Sequence, residues 1–230
     1  MIGAVVLAGG QGKRMRAGMN KQYLVIDGRS VLSCAIESMA AVAEALIIVA
    51  AKGEEARAWE AVAESGIDAA RVRVVEGGKE RQDSVRHALL AMPEEWDKVL
   101  IHDGARPFVP RDMLARILAS TAPGIGVVPG VAVTDTIKRI DEEGFIVETP
   151  PRAQLRAAQT PQCFMAQEIR ALHVQVADSD QLFTDDAALY EYGGKKVRMV
   201  DGDAMSRKLT VPDDMLWAGK MKEAWEAQKQ

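Results

Sequence analysis

Between residues 8 and 22 the chain reads Ala8-Gly9-Gly10-Gln11-Gly12-Lys13-Arg14-Met15 and then, after a short gap, Asn20-Lys21-Gln22. Three glycines this close together remove the side chains that would hold a bulky group off the backbone. They also leave N–H groups able to face an anion. Arg14 and Lys21 add two cations to the same loop, and a glycine cradle with two cations suits a triphosphate. Two phosphate-binding patterns can be tested against it. A Walker A loop needs G-x-x-x-x-G-K-[ST], but Leu7 stands at its first glycine and Arg14 where Ser or Thr would meet magnesium. The dinucleotide fingerprint G-x-G-x-x-G fits Gly10 and Gly12 but places Met15 at the third glycine, which weakens an NAD-linked oxidoreductase. Neither pattern holds, and a plain glycine-rich turn with surface cations remains the alternative at this level.

Other chemistry-bearing residues fall in similar clusters: Glu76 to Ser84, His102-Asp103-Gly104-Ala105-Arg106-Pro107, Thr136, Arg152, Thr160-Pro161-Gln162, Thr184-Asp185-Asp186 and Arg207-Lys208-Leu209-Thr210. Asp103 is the candidate metal ligand. Magnesium keeps several waters and takes one or two carboxylates plus substrate phosphates, so one well-placed Asp suffices. Its alternative is a turn former or helix cap. His102 beside Asp103 suggests a dyad, yet the chain has no G-x-S-x-G and no H-E-x-x-H, which favours a structural histidine. Asp83 can cap its helix, while Ser84 can reach a base or ribose. Asp185 and Asp186 read as first-turn acids of a helix rather than a second metal site.

The elements that must position these residues alternate. Ala4 to Leu7, Ala45 to Ala50, Val72 to Val75, Lys98 to His102, Ile125 to Val128 and Lys196 to Val200 are short apolar runs that predict strands. Between them lie helical patterns: one capped by Ser30 with Leu32, Cys34/Ala35, Ile36, Met39 and Val42 on its apolar face, then Lys52 to Ser65 ended by Gly66, Asp83 to Met92 and Arg111 to Ser120. Helices follow at Met165 to Val176, Thr184 to Tyr192 and from about Pro212. Buried strands separated by helices predict an α/β fold, a doubly wound and mostly parallel sheet with helices on both faces. The rhythm breaks near Val131. Residues 135–140 and 144–149 flank Asp141-Glu142-Glu143 as a β-hairpin, readable as a surface flap or as an arm that grips a partner.

Composition bounds the rest. The 230 residues suit one large domain, and 48% hydrophobic with 27% charged is ordinary globular composition. A net charge of −4 argues against non-specific binding to nucleic acid or acidic lipid and requires any phosphate-handling cations to be concentrated locally. Cys34 and Cys163 fit no metal spacing and read as buried free thiols of a reducing compartment. Met1 to Ala8 is too short for a signal-peptide core, and no stretch is apolar enough to span a membrane. A cytoplasmic protein is expected.

The motif Leu-Ala-Gly-Gly-x-Gly-x-Arg-Met at residues 7–15 resembles the opening of the nucleotide-sugar and polyol-phosphate nucleotidyltransferases. Lys21-Gln22-Tyr23, Gly77-Gly78-x-Glu80-Arg81-x-x-Ser84, His102-Asp103-x-Ala105-Arg106-Pro107, Asp135-Thr136-x-Lys138, Thr160-Pro161-Gln162 and Lys208-x-Thr210 resemble its cytidylyltransferase branch, in order and along essentially the whole chain. The resemblance implies a Rossmann-like nucleotidyltransferase fold and a magnesium-dependent transfer of CMP from CTP to a polyol phosphate with release of pyrophosphate. Methylerythritol phosphate is the acceptor expected from it, with ribitol phosphate as the alternative. It implies that the backbone of Ala8, Gly9, Gly10 and Gly12 cradles CTP, that Gly78 and Ser84 lie against cytosine and ribose, and that Asp103 helps hold magnesium. Arg14, Lys21, Arg152 and Lys208 become the catalytic cations, with Arg106, Thr136, Arg152, Thr160 and Lys208 around the acceptor. It also implies a homodimer in which the hairpin, about residues 133–152, is an arm that carries Arg152 toward a neighbouring site. The chain departs from the family's common pattern at Asn20, Lys79 and Ser206-Arg207. A catalytically silent nucleotide-binding protein on the same fold is the alternative from another class.

Overall fold

The computed structural model describes residues 1–10 and 20–227. In chain order its strands begin with β1 (Ile2–Leu7), β2 (Val25–Ile26), β3 (Arg29–Ser30), β4 (Ala45–Ala50), β5 (Val72–Glu76) and β6 (Lys98–Asp103). There follow β7 (Ile125–Ala132), β8 (Arg139–Ile140), β9 (Ile146–Glu148), β10 (Arg156–Ala158), β11 (Gln162–Met165) and β12 (Lys196–Asp201). The helices are α1 (Val31–Ala40), α2 (Glu55–Ser65), α3 (Arg81–Ala91), α4 (Arg111–Ser120), α5 (Ala166–Gln175), α6 (Asp186–Tyr192) and α7 (Pro212–Ala227).

The main sheet runs β10-β7-β11-β6-β1-β4-β5, with β12 also on β7. β1 pairs in parallel with both β4 and β6, and β4 with β5. Along β1, Ala4 and Val6 face one side and Val5 and Leu7 the other, and both sides meet packed helices. A strand covered on both faces must be apolar throughout, which is why these runs do not alternate. Leu32, Ile36 and Met39 of α1, Val62 of α2 and Ile117 of α4 fill one side. Leu89 of α3, Ile169 of α5 and Tyr190 of α6 fill the other. Helix α7 closes a third cluster, in which Trp225 packs on Phe108 with ring centroids 5.4 Å apart. Local signals act where the sequence puts them. Ser30 caps α1 by accepting from the Ser33 N–H at 3.2 Å, and Gly66 ends α2 at φ +73°.

Two strands of the main sheet, beside the short pair β2–β3, depart from the sequence expectation. β11 lies antiparallel between β6 and β7, and β10 pairs antiparallel with the end of β7, so the sheet is mixed but mostly parallel. Both are four residues or shorter, too short to show a period of two. The hairpin is also shorter than read: only Arg139–Ile140 and Ile146–Glu148 are paired. Adjacent residues of α3 give a direct measure of core packing, since Leu89 is fully buried and Leu90 is half exposed. Leu89→Ala should lower stability by about 2–5 kcal/mol and Leu90→Ala by about 0.5 kcal/mol or less. Urea unfolding would show this as a shifted midpoint at unchanged slope for Leu89→Ala.

Candidate active site

The order of the sheet reverses at β1. The chain steps from β1 to β4 and β5 on one flank, then returns with β6 on the other. In open α/β sheets, ligands bind in the crevice at such a switch point, beyond the carboxyl ends of the strands. A cleft of about 760 Å³ lies there, formed by the segments that leave β1, β4, β5 and β6 together with Lys208 and Thr210. Among the described residues five cations line it, Lys21, Lys52, Lys79, Arg81 and Lys208, against two carboxylates, Glu80 and Asp103. A second cleft of about 690 Å³, between the ends of α1 and α2 and the start of α4, is lined by none of the candidate site residues read from the sequence.

Asp103, the last residue of β6, is the centre of the charged groups. Lys208 Nζ stands 2.7 Å from one of its carboxylate oxygens, with Arg106 Nε at 3.7 Å and Arg81 Nε at 3.8 Å. Burial opposes ionisation of this carboxyl, but the three cations outweigh it and hold its pKa well below the ordinary carboxylate range. Arg81 is placed from behind: its Nη1 lies 2.8 Å from Asp186, a buried carboxylate that also faces His173 Nε2 at 3.1 Å. Asp186 is thus a first-turn acid of α6, as expected, while Asp185 caps that helix through the Ala188 N–H. The guanidinium of Arg106 is turned inward and donates to the Ser206 carbonyl at 2.7 Å.

The glycine segment after β5 is shaped by α3. Glu80 and Asp83 form a reciprocal capping box, and a Cβ on Gly78 would lie 2.2 Å from the Cβ of Asp83, so only glycine fits. Ser84 accepts from the Gly78 N–H at 3.0 Å and donates to the Glu80 carbonyl at 3.1 Å, which folds the segment over the cleft. The first loop needs one correction. The N–H of Ala8 is spent on the Val49 carbonyl at 2.7 Å and Ala8 does not line the cleft, whereas Gly9 and Gly10 do. Lys21 opens a 3-10 turn whose preceding residue, Asn20, donates to Glu54. Gly12 and Arg14 lie outside the described residues.

The remaining candidates divide. Lys208 lines the cleft, whereas Thr136 and Arg152 do not: both are exposed near the hairpin, and Arg152 donates to the Thr134 carbonyl at 2.6 Å. Thr160 is buried, and its hydroxyl accepts from the Asp103 N–H at 3.0 Å and meets His102 Nδ1 at 3.0 Å. His102 is fully buried and structural, as expected, with Nε2 2.9 Å from the Arg106 carbonyl. Sequence reasoning gave Arg81 no role. Its spacing from Glu80 and Ser84 was visible, but its partner Asp186 lies on another helix, far along the chain.

A cleft this rich in cations, at the switch point of an α/β sheet and without an activated nucleophile among the described residues, suits phosphoryl-type transfer, which asks for positioning and charge more than covalent work. The class so defined is a nucleotidyltransferase. The family model described as 2-C-methyl-D-erythritol 4-phosphate cytidylyltransferase matches residues 2–223. Relatives with that description from Geobacter metallireducens and Geotalea uraniireducens are 42% and 41% identical, each over 94% of both chains. Among solved structures, a 4-diphosphocytidyl-2C-methyl-D-erythritol synthase from Anaerococcus prevotii superposes with a TM-score of 0.83 at 27% identity, covering 97% of this chain and 96% of that one. A 2-C-methyl-D-erythritol 4-phosphate cytidylyltransferase from Thermus thermophilus gives 0.78 at 28% identity, covering 97% and 100%. The chain belongs to the 2-C-methyl-D-erythritol 4-phosphate cytidylyltransferase family.

The buried histidine gives this site a pH signature. Burial lowers the pKa of His102 from its ordinary 6.5 to about 4, with the Asp103 charge and the bond to the Arg106 carbonyl opposing the shift and the Arg106 and Lys208 charges adding to it. Between those values the unfolded chain takes up a proton that the folded chain does not, so stability falls on acidification from about pH 6.5 to 4. The loss attributable to His102 approaches about 3 kcal/mol at the acid end of that window. Thermal melts from pH 7.5 to 4.5 should show a steady decline, and a flat profile would rule this out.

Proposed function

We propose that the cleft at the β1 switch point holds CTP while CMP passes to 2-C-methyl-D-erythritol 4-phosphate, giving 4-diphosphocytidyl-2-C-methyl-D-erythritol and pyrophosphate. The observation that carries this is the cationic cleft itself, five cations and two carboxylates facing glycine segments that can approach a nucleotide closely. An oxygen of the acceptor phosphate attacks the α-phosphorus of CTP, and the bond to the pyrophosphate oxygen breaks. Both substrates are anions that repel one another, and the increasing negative charge falls to Arg14, Lys21 and Lys208 with Arg152 supplied by the arm. Gly9, Gly10 and Gly12 face the triphosphate, and Gly78 and Ser84 the cytosine and ribose. Lys208 with Thr136 and Arg152 of the arm surround the acceptor, Arg106 backs Asp103 from its inward position, and Thr160 supports the same end of the cleft from beneath.

Magnesium fits this site as a companion of the nucleotide. Among the described residues no three His, Cys, Asp or Glu side chains come together to hold a metal by themselves. Asp103 offers a single ionised carboxylate at the cleft, and phosphate oxygens and water would complete the shell, as magnesium requires. When bound there it would offset charge on the triphosphate, and Lys208 would exchange its hold on Asp103 for phosphate.

The arm supports a homodimer. Ile140, Phe145 and Ile146 are each more than half exposed on a two-stranded ribbon, and such a ribbon is marginal unless something covers it. A second copy covers it and receives Arg152. Residues 1–230 form one nucleotidyltransferase domain with the arm at about 133–152. A cytoplasmic location agrees with two buried free cysteines, and no helix among the described residues is long and apolar enough to cross a membrane.

The purified protein given CTP and magnesium should release pyrophosphate with methylerythritol phosphate and far less with ribitol phosphate. The reverse preference would replace the acceptor, and CTP binding without turnover on either would favour the silent nucleotide-binding protein. Lys21→Ala should lose about two to three decades of kcat. If Arg152 serves the partner's cleft, mixing Lys21→Ala and Arg152→Ala subunits rebuilds one complete site per mixed dimer, so activity rises above either variant alone. No rise on subunit exchange would place Arg152 in its own chain's cleft.

A further inference from the structure

The polar groups beneath the cleft leave little freedom in where their hydrogens lie. The Asp103 N–H can only donate, so Thr160 Oγ1, 3.0 Å away, accepts from it. The Arg106 carbonyl can only accept, so His102 Nε2, 2.9 Å away, carries the ring hydrogen and donates to it. A neutral ring then leaves Nδ1 as an acceptor, and the Thr160 hydroxyl, 3.0 Å away, donates into it. The relay runs one way, from the Asp103 amide through Thr160 to His102 and on to Arg106. A second path closes the ring. The Ser206 hydroxyl donates to the Thr160 carbonyl at 3.1 Å, and the Ser206 carbonyl accepts from the Arg106 guanidinium. His102, Thr160 and Ser206 are all buried, and the Thr160–His102 and Ser206–Thr160 bonds are made away from competing water.

We propose that His102 is a positioning residue for the transfer reaction, acting through the Thr160 hydroxyl and the Arg106 carbonyl to fix the turn from Asp103 to Arg106. The proposal rests on the cytidylyltransferase reading, because it assigns the fixed Asp103 and Arg106 side chains to that reaction. His102 touches no cleft surface, so its effect on turnover comes through where it holds these two groups. Thr160 belongs to the same unit, and its hydroxyl serves the reaction through Asp103.

The test combines kinetics with a spectroscopic readout. His102→Leu and Thr160→Val each remove the bond between the two side chains, and each should lower kcat by about tenfold to a hundredfold, the scale of one buried group left unpaired. The KM values for CTP and the polyol phosphate should stay within about threefold. Thr160→Ser should restore kcat, and the double variant should fall no further than the worse single one. Additive losses, or a rise confined to the KM of the acceptor in Thr160→Val, would overturn the relay. Should the variants fail to fold, nitrogen NMR of the unmodified protein at pH 7 still decides. His102, one of three histidines, should show a protonated Nε2 and an unprotonated Nδ1, and a proton on Nδ1 would overturn the proposal. That result stands whether or not the protein turns over methylerythritol phosphate, so failure of the relay and failure of the activity remain separable.

Discussion

The site depends on one carboxylate, that of Asp103, whose side chain is 13% exposed at the floor of the cleft. Lys208, Arg106 and Arg81 come from three different parts of the chain, and three cations this close would repel one another without a counter-ion. Asp103 provides it, at a position where its own desolvation is offset by their combined charge. The resulting cluster keeps an excess of positive charge at the mouth of a cleft that already carries Lys21, Lys52 and Lys79. An arriving phosphate meets cations that are already held in place, so little reorganisation is required when charge develops on the reacting phosphorus.

Asp103 in turn is held by the sheet. In the parallel register of β1 and β6, Leu7 lies opposite Asp103, so the glycine loop and the acid leave the sheet side by side. Gly104 lets the chain turn there: its N–H donates to the Leu7 carbonyl at 2.9 Å, and a Cβ would stand 2.8 Å from that oxygen. The antiparallel strand β11 then brings its amino end to the same edge, which delivers Thr160 beneath Asp103. A parallel strand in that slot would put its amino end at the opposite edge of the sheet.

This division explains what could be read from the residue order. Buried parallel strands leave continuous apolar runs such as Ala45 to Ala50, and caps such as Ser30 and Gly66 act within a few residues, so both were legible. The cleft residues in short local motifs, Gly9, Gly10, Lys21 and Gly78 on their loops and Asp103 at the end of β6, were legible for the same reason, because short spacing carries their meaning. The pair Arg81–Asp186 spans two helices and depends on their packing, so neither residue's type announces the other. Thr160 was assigned outward because its motif lies among substrate-facing segments, yet burial turns its hydroxyl inward. The short strands β10 and β11 are defined by their neighbours' edges more than by their own pattern.

The charge distribution joins the whole chain to the site. The protein is net acidic at −4, yet its cleft has more cations than carboxylates, so the positive field is a local feature of one concave region. Low-dielectric walls concentrate that field, while the acidic remainder of the surface repels polyanions from unproductive contacts. On the proposed reading, a nucleotide triphosphate and a polyol phosphate are drawn to the same place by the same charges. In that reading the geometry comes from neutral groups instead: the glycines of the cleft would let a nucleotide approach the backbone, and the relay beneath Asp103 would keep the anionic centre of the cluster from moving.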